Sequence, residues 1–196
     1  MIIRETFDIK EIYADMQLQF PPEELKPLKE LEGLLKKGNY RLLEALENHI
    51  RVGYALIVEC NNIIWIDYIA ILKAFQCKGY GRKILQKLAE FYAERDGCYL
   101  EVEKPDERDV NTLRRIEFYK NLGAKKLDVE YYYPNTQGGL AMDLYFIPYA
   151  KMYPENVLAD IENVFDLIHN KNKEVLNKIR LLCPRKFRDK ERERNF

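Results

Sequence analysis

The chain is poor in the side chains that usually ligate metals. Among 196 residues there are two histidines and four cysteines, the latter at 60, 77, 98 and 183 without Cys-x-x-Cys spacing, so no metal site is expected. Isolated thiols fit a reducing compartment, and a cytoplasmic location is the expectation. An excess of one charge is also missing: Lys plus Arg and Asp plus Glu each total 32, so the balance calls for neither nucleic acid nor a membrane surface as partner. No apolar run approaches the roughly eighteen residues of a membrane span. The start, MIIRETFDIKE, has neither the basic nor the apolar segment of a secretion signal. What is present, 47% hydrophobic and 33% charged residues, describes a soluble globular chain with one sizeable core.

The chain is organised around Trp65 to Tyr92, WIDYIAILKAFQCKGYGRKILQKLAEFY. It reads as a buried strand, a loop Gln76-Cys77-Lys78-Gly79-Tyr80-Gly81, and an amphipathic helix whose first turn carries Arg82 and Lys83. Glycines at 79 and 81 let the backbone approach a ligand and turn its N–H groups inward, and the helix N-terminus adds unpaired N–H groups and partial positive charge. A phosphate is the expected occupant. A plain strand-to-helix turn is the competing reading of a lone Gly-x-Gly; the apolar strand, the flanking basic residues and a second motif downstream favour the site. No Gly-Lys-Ser/Thr follows, and the third glycine of a dinucleotide fingerprint is absent, so nucleoside triphosphates and NAD are poor candidates.

Periodicity predicts the remaining elements. Ile2 to Phe7 reads as a strand, Asp8 to Phe20 as a helix stopped by Pro21-Pro22, and Glu23 to Lys37 as a second helix with a leucine stripe. Tyr40 to Leu46, Arg51 to Cys60 and Ile63 to Leu72 form an antiparallel meander with turns at Asn48-His49 and Asn61-Asn62. A helix from Arg82 to Glu94 and a strand from Cys98 to Glu103 then require a right-handed parallel crossover. A helix Val110 to Leu122, a hairpin of Lys125 to Tyr133 with Leu140 to Ile147, and two helices, Glu155 to His169 and Lys173 to Cys183, complete the chain before a charged tail.

Gln76-x-x-Gly79-x-Gly81 opening a helix resembles motif A of the GCN5-related N-acetyltransferases (GNAT). Asn111-Thr112-Leu113-Arg114-Arg115-Ile116-Glu117-Phe118-Tyr119-Lys120-Asn121-Leu122-Gly123-Ala124 is similar to the same family's later helix. The resemblance implies an α/β (α+β) fold. Its mixed, mostly antiparallel central sheet would have about seven strands and a splayed parallel central pair, over residues 1–150, with C-terminal helices as an extension over 151–196. It implies acetyl-CoA as cosubstrate and an amine as acceptor. The extension lies beyond the resemblance, and covering the sheet, self-association as a homodimer and capping the active site are its open uses. Gln76, Cys77, Lys78, Gly79, Tyr80, Gly81 and Arg82 would take the pyrophosphate, the backbone of Ile69 to Leu72 the pantetheine arm, and Ile71 the thioester oxyanion. Asn111 would cap its helix or touch the arm, and Phe20-Pro21-Pro22 would overhang the acceptor. Arg114 replaces the family's usual small residue, and Trp65 stands where the histone-acetylating branch keeps its base glutamate.

Acetylating an amine requires a base, because an alkylamine with a pKa of about 10 is mostly protonated at neutral pH. Alternation from Cys98 puts Tyr99, Glu101 and Glu103 on one strand face, and two carboxylates there are unusual for a central parallel strand. Glu101 matches the base position of members that acetylate protein N-termini. Asp67, on the face of Trp65 and Ile69, competes for the role, and the carboxylates at a frayed strand end are the bland alternative. Tyr119 matches the family tyrosine that protonates the leaving thiolate; otherwise it is a core aromatic. The alternative function is a non-catalytic acyl-CoA-binding or interaction module.

Overall fold

The computed structural model describes residues 1–135, 138–169 and 172–182. β1 (Ile2–Glu5) leads into α1 (Ile9–Gln19), which buries Ile9, Ile12 and Met16 at the expected helical spacing. α2 (Leu28–Leu35) is shorter than the predicted Glu23 to Lys37. Pro27, with extended ψ 143, stands as its cap, and the Pro21 carbonyl closes a separate turn by accepting from Glu24 and Leu25. β2 (Tyr40–Glu47), β3 (Ile50–Cys60) and β4 (Ile63–Ile71) form the meander. Asn48, His49 and Asn61 take the positive φ its turns need, and His49 is an exposed turn residue.

A short 3-10 turn, Lys73–Phe75, precedes α3 (Tyr80–Phe91), which returns the chain to β5 (Gly97–Glu103), parallel to β4. α4 (Val110–Lys120) is capped by Asp109, whose side chain accepts the Asn111 N–H at 2.9 Å; Asn111 is therefore not the cap. The predicted strand Lys125 to Tyr133 is interrupted. The Val129 N–H donates to the Leu127 carbonyl, which splits it into β6 (Lys125–Lys126) and β7 (Val129–Tyr133). β7 pairs with β8 (Leu140–Pro148) as the expected hairpin. α5 (Val157–Ile168) follows, but the predicted helix Lys173 to Cys183 shrinks to α6 (Lys173–Leu176). The next residues form β9 (Arg180–Leu181), paired with β7, and Cys183 lies outside the described residues.

The sheet order is β1-β2-β3-β4-β5-β8-β7-β9, with β6 also on β8. Seven longer strands match the expected count; β6 and β9 add two residues each. Among these pairings only β4 with β5 is parallel. Apolar faces of α1, α2 and α5 cover one side of the sheet, packing on Trp65, Tyr99 and Phe146. α3 and α4 cover the other, packing on Ile66, Leu100 and Val102. Both cores are needed because a strand buried on two faces must find a partner on each.

Two irregularities open the centre of this sheet. Pairing of β4 with β5 runs from Ile63↔Gly97 to Ile66↔Leu100 and then stops, although both strands continue. Opposite that point, β3 pairs Leu56 with Tyr68 and Ile57 with Ile66, leaving Asp67 as an extra residue on β4. Such a bulge bends the strand and resets its alternation. Ile69 consequently joins the core of Ile66, while Tyr68 stays with Trp65, so the predicted shared face of Asp67 and Ile69 is corrected.

Candidate active site

The gap between β4 and β5 is the mouth of a cleft of about 390 Å³. Side chains from both sides of the sheet meet there, because with no ladder between the strands nothing seals one core from the other. Asp67, Glu101, Glu103 and Tyr119, the four predicted catalytic residues, all line it. So do Ile69, Ile71 and Gln76 of the predicted cosubstrate group, and Phe20 and Pro21 from the α1–α2 junction.

Glu101 accepts a hydrogen bond from the Tyr131 hydroxyl. Loss of water first, and the Asp67 carboxylate second, push its pKa up to about 7, against the opposing pull of Tyr131 and Lys26. Asp67 is differently placed. Lys26 Nζ reaches both its oxygens, at 2.7 and 3.0 Å, and the Tyr40 hydroxyl donates to it at 2.5 Å. Burial works against the Lys26 ammonium, yet the adjacent Asp67 outweighs that and holds its pKa above the usual value. Asp67 is thus a neutralised, fully hydrogen-bonded carboxylate. Glu103 is paired with Arg115, one helical turn before Tyr119 on α4.

Tyr119 is only 9% exposed, and its hydroxyl has no hydrogen-bond partner among the described residues. Burial pushes its pKa up to about 12, with Arg115 pulling it back and Glu103 adding to the rise. The ring is buried while the hydroxyl keeps access to the cleft, where an occupant can take its hydrogen bond.

Beyond Ile71 lies the glycine turn. Cys77 and Gly79 take φ 60 and 82, and Gly79 is the left-handed residue that starts α3. None of the backbone N–H groups of residues 77–82 makes a well-formed hydrogen bond to a described acceptor. The helix end offers the cluster of free donors that an anion needs. At Gly81 a Cβ would stand 3.2 Å from the Phe118 ring, so α3 and α4 approach closely here because the side chain is missing. Arg82 is exposed beside the turn, as are Cys77 and Lys78, whereas Tyr80 is half-buried against Phe75. Asn111 is exposed and does not line the cleft.

The Leu72 N–H donates to Val52 at 3.0 Å, so alternation turns the peptide groups of Ile69 and Ile71 the other way, into the gap. Leu72 is thereby removed from the expected free backbone run. The Ile71 carbonyl accepts from Gln19 at 3.2 Å and Gln76 at 3.1 Å, contacts that an amide-bearing ligand would replace. Of the three consecutive tyrosines, Tyr131 holds Glu101, Tyr133 lines the cleft, and Tyr132 turns away to Glu130.

Sequence reading missed Glu24, Lys26 and Arg115. Glu24 lines the cleft, with a pKa pushed up to about 7 by loss of water and then by Glu103 and Glu23, against Arg115. Its carbonyl accepts from the Tyr68 and Tyr133 hydroxyls at 2.7 and 2.8 Å. Pro21, Pro22 and Pro27 bracket this segment, and that interruption of helix was the available signal.

The sequence and the fold both have relatives among known proteins. The model of the Acetyltransferase (GNAT) family matches residues 8–124. YjbC of Bacillus subtilis (strain 168) is 32% identical over 110 residues, 55% of this chain, and the match spans about half that protein's length, 53%. The ribosomal protein bS18-alanine N-acetyltransferase of Haemophilus influenzae (strain ATCC 51907 / DSM 11121 / KW20 / Rd) is 29% identical over 140 residues, 69% of this chain and 88% of that one. A solved structure from Bacteroides thetaiotaomicron, assigned to the GNAT family, superposes with a TM-score of 0.69 at 23% identity, covering 87% of this chain and 97% of the other. A split parallel pair, a glycine turn opening α3 and a family match over more than half the chain lead to one conclusion: the chain belongs to the acetyltransferase (GNAT) family.

Proposed function

We propose that the chain is an acetyl-CoA-dependent N-acetyltransferase acting on a primary amine by direct transfer, with cosubstrate and acceptor bound together. The observation that carries this is the meeting of Tyr119 and Glu101 in one cleft, next to a turn of unpaired amides. The residues fit the cosubstrate. The turn from Cys77 through Lys78, Gly79, Tyr80 and Gly81 to Arg82 would hold the diphosphate, and the gap-facing peptides of Ile69 and Ile71, with Gln76, would hold the arm. Asn111 is the weakest member of that group, since it lies outside the cleft. Acetyl-CoA would supply a thioester-activated acetyl group.

The chain's own groups divide the proton traffic. Glu101, with a pKa of about 7, is half ionised near neutrality and is the base we assign to the incoming ammonium. Taking a proton from an amine of pKa about 10 is uphill by about 4 kcal/mol, at 1.36 kcal/mol per pKa unit. That is small beside an enzymatic barrier, and further removal to water completes the step. Asp67, neutralised by Lys26, is assigned to holding the cleft, and Glu103 to holding Arg115. Tyr119 gives its hydroxyl proton to the sulfur as the C–S bond breaks and the N–C bond forms, then recovers one from the nitrogen. Arg115 favours the transient phenolate. The Ile71 N–H, turned into the gap, is the donor assigned to the thioester oxygen.

Calorimetry with CoA, followed by an acetylation assay over a panel of amines, tests the proposal. Micromolar CoA binding with turnover of an amine is expected; no binding below millimolar concentration would end it.

A further inference from the structure

We infer that this cleft selects acceptors carrying a second positive charge, with Glu101 facing the amine that reacts and Glu24 holding the other cation. The inference rests on the acetyl-transfer reading and names the acceptor class within it.

The charges of the cleft do not cancel. Lys26 neutralises Asp67, with 6% and 0% of the two side chains exposed, and Arg115 neutralises Glu103. Glu24 and Glu101 have no cationic partner among the described residues. Each is held short of full ionisation near neutral pH by loss of water and by a neighbouring carboxylate, Glu103 in one case and Asp67 in the other. A carboxylate in that condition gains most from a cation brought to it, because the attraction acts where solvent screening is weak.

Glu24 is also held in place. Its carbonyl takes two tyrosine hydroxyls, the Lys26 N–H donates to the Tyr68 hydroxyl at 3.0 Å, and the Lys26 ammonium is clasped by Asp67. The loop is tied to β4 and β7 through main chain and Lys26, and Glu24 is its carboxylate that lines the cleft. An independent mark shows where the reacting end lies. Tyr119 as a residue is only 9% exposed, its hydroxyl has no hydrogen-bond partner among the described residues, and it lines the same cleft.

The reaction itself separates the two carboxylates. A monoamine arrives with one charge and must lose it before attack, so from that moment it compensates neither carboxylate. A second ammonium or guanidinium stays charged throughout and offsets Glu24 through the transition state. This raises turnover as well as affinity. An acceptor carrying a carboxylate beside its amine would meet two like charges and be excluded.

The second cation could belong to a small diamine or to a basic residue following a peptide N-terminus, and paired probes separate these sources. The pairs are 1,5-diaminopentane against pentylamine and Ala-Lys amide against Ala-Leu amide, with 5-aminopentanoate as the like-charge control. Affinity is measured by calorimetry on the CoA-saturated protein, and kcat/KM by acetylation, for wild type and Glu24→Gln at pH 8. In at least one pair the dication is expected to win by about tenfold or more, a difference worth about 1.4 kcal/mol. Glu24→Gln is expected to bring that ratio close to one. Ratios near one in both wild-type pairs, or a preference untouched by Glu24→Gln, overturn the inference. Should dications bind in a Glu24-dependent way with no acetylation of any probe, the acetyl-transfer reading falls and the cation site stands; turnover without preference does the reverse.

Discussion

Replacing Glu101 by glutamine removes a charge and keeps the shape, and the structure makes opposite predictions for activity and stability. The amide oxygen can still accept from Tyr131. For stability, the folded pKa of about 7 lies above the 4.5 of a free glutamate side chain. A raised carboxylate pKa means the folded state binds the proton more tightly. The stabilising contribution is therefore complete below pH 4.5 and is lost as pH climbs toward and through 7. A shift of this size corresponds to about 3 kcal/mol at 1.36 kcal/mol per unit. Urea unfolding of both proteins at pH 5 and pH 8.5 should show glutamine gaining on wild type by roughly 2–3 kcal/mol between those values. Meanwhile kcat/KM should fall on the order of 10²-fold or more, and the wild-type rise in activity through about pH 7 should disappear. A stability difference that does not change with pH would refute the burial argument. Retention of the activity limb in the variant would refute the choice of base.

Tyr119→Phe should lower kcat by about 10²-fold while CoA affinity changes by less than about twofold, read from steady-state rates and calorimetry; a wild-type rate would return this residue to the core. Gly79→Val forces a β-branched residue to φ 82 at the turn, so CoA affinity should drop by about tenfold or more with the fold retained in circular dichroism. Lys26→Met strands Asp67 without its cation and should cost about 3–5 kcal/mol in urea unfolding, with Asp67→Asn added to it recovering most of the loss.

The helices and strands that bury an amphipathic or alternating face were readable locally. α1 and α3 follow apolar positions three and four residues apart, β2 with β3 follows Asn48-His49, both with φ above zero, and β3 with β4 turns at Asn61. Errors fell where a non-local partner or a proline outweighed periodicity. Val175, Leu176 and Ile179 have helical spacing, but Arg180 and Leu181 find the open edge of β7 and the helix ends early. Glu23 to Pro27 continues a leucine stripe, yet prolines and the Lys26–Asp67 pair hold it as a clasped loop. The bulge at Asp67 has no local signature, and it moved Ile69 to the opposite core.

Glycine spacing, an apolar strand ahead of it and a tyrosine four residues before Gly123 are properties of neighbours along the chain. They were enough to read the phosphate turn, the family resemblance and Tyr119 as expectations. Which carboxylate is left to act is a matter of partners from distant segments. Glu101 and Asp67 read alike as acids on strand faces, and Glu24 looked like part of a helix. Folding brings Lys26 to Asp67 across 41 residues and Tyr131 to Glu101 across 30, so one acid is cancelled while the other is kept ionisable. A pKa follows water and neighbouring charge in space, and neither is written in the order of the residues.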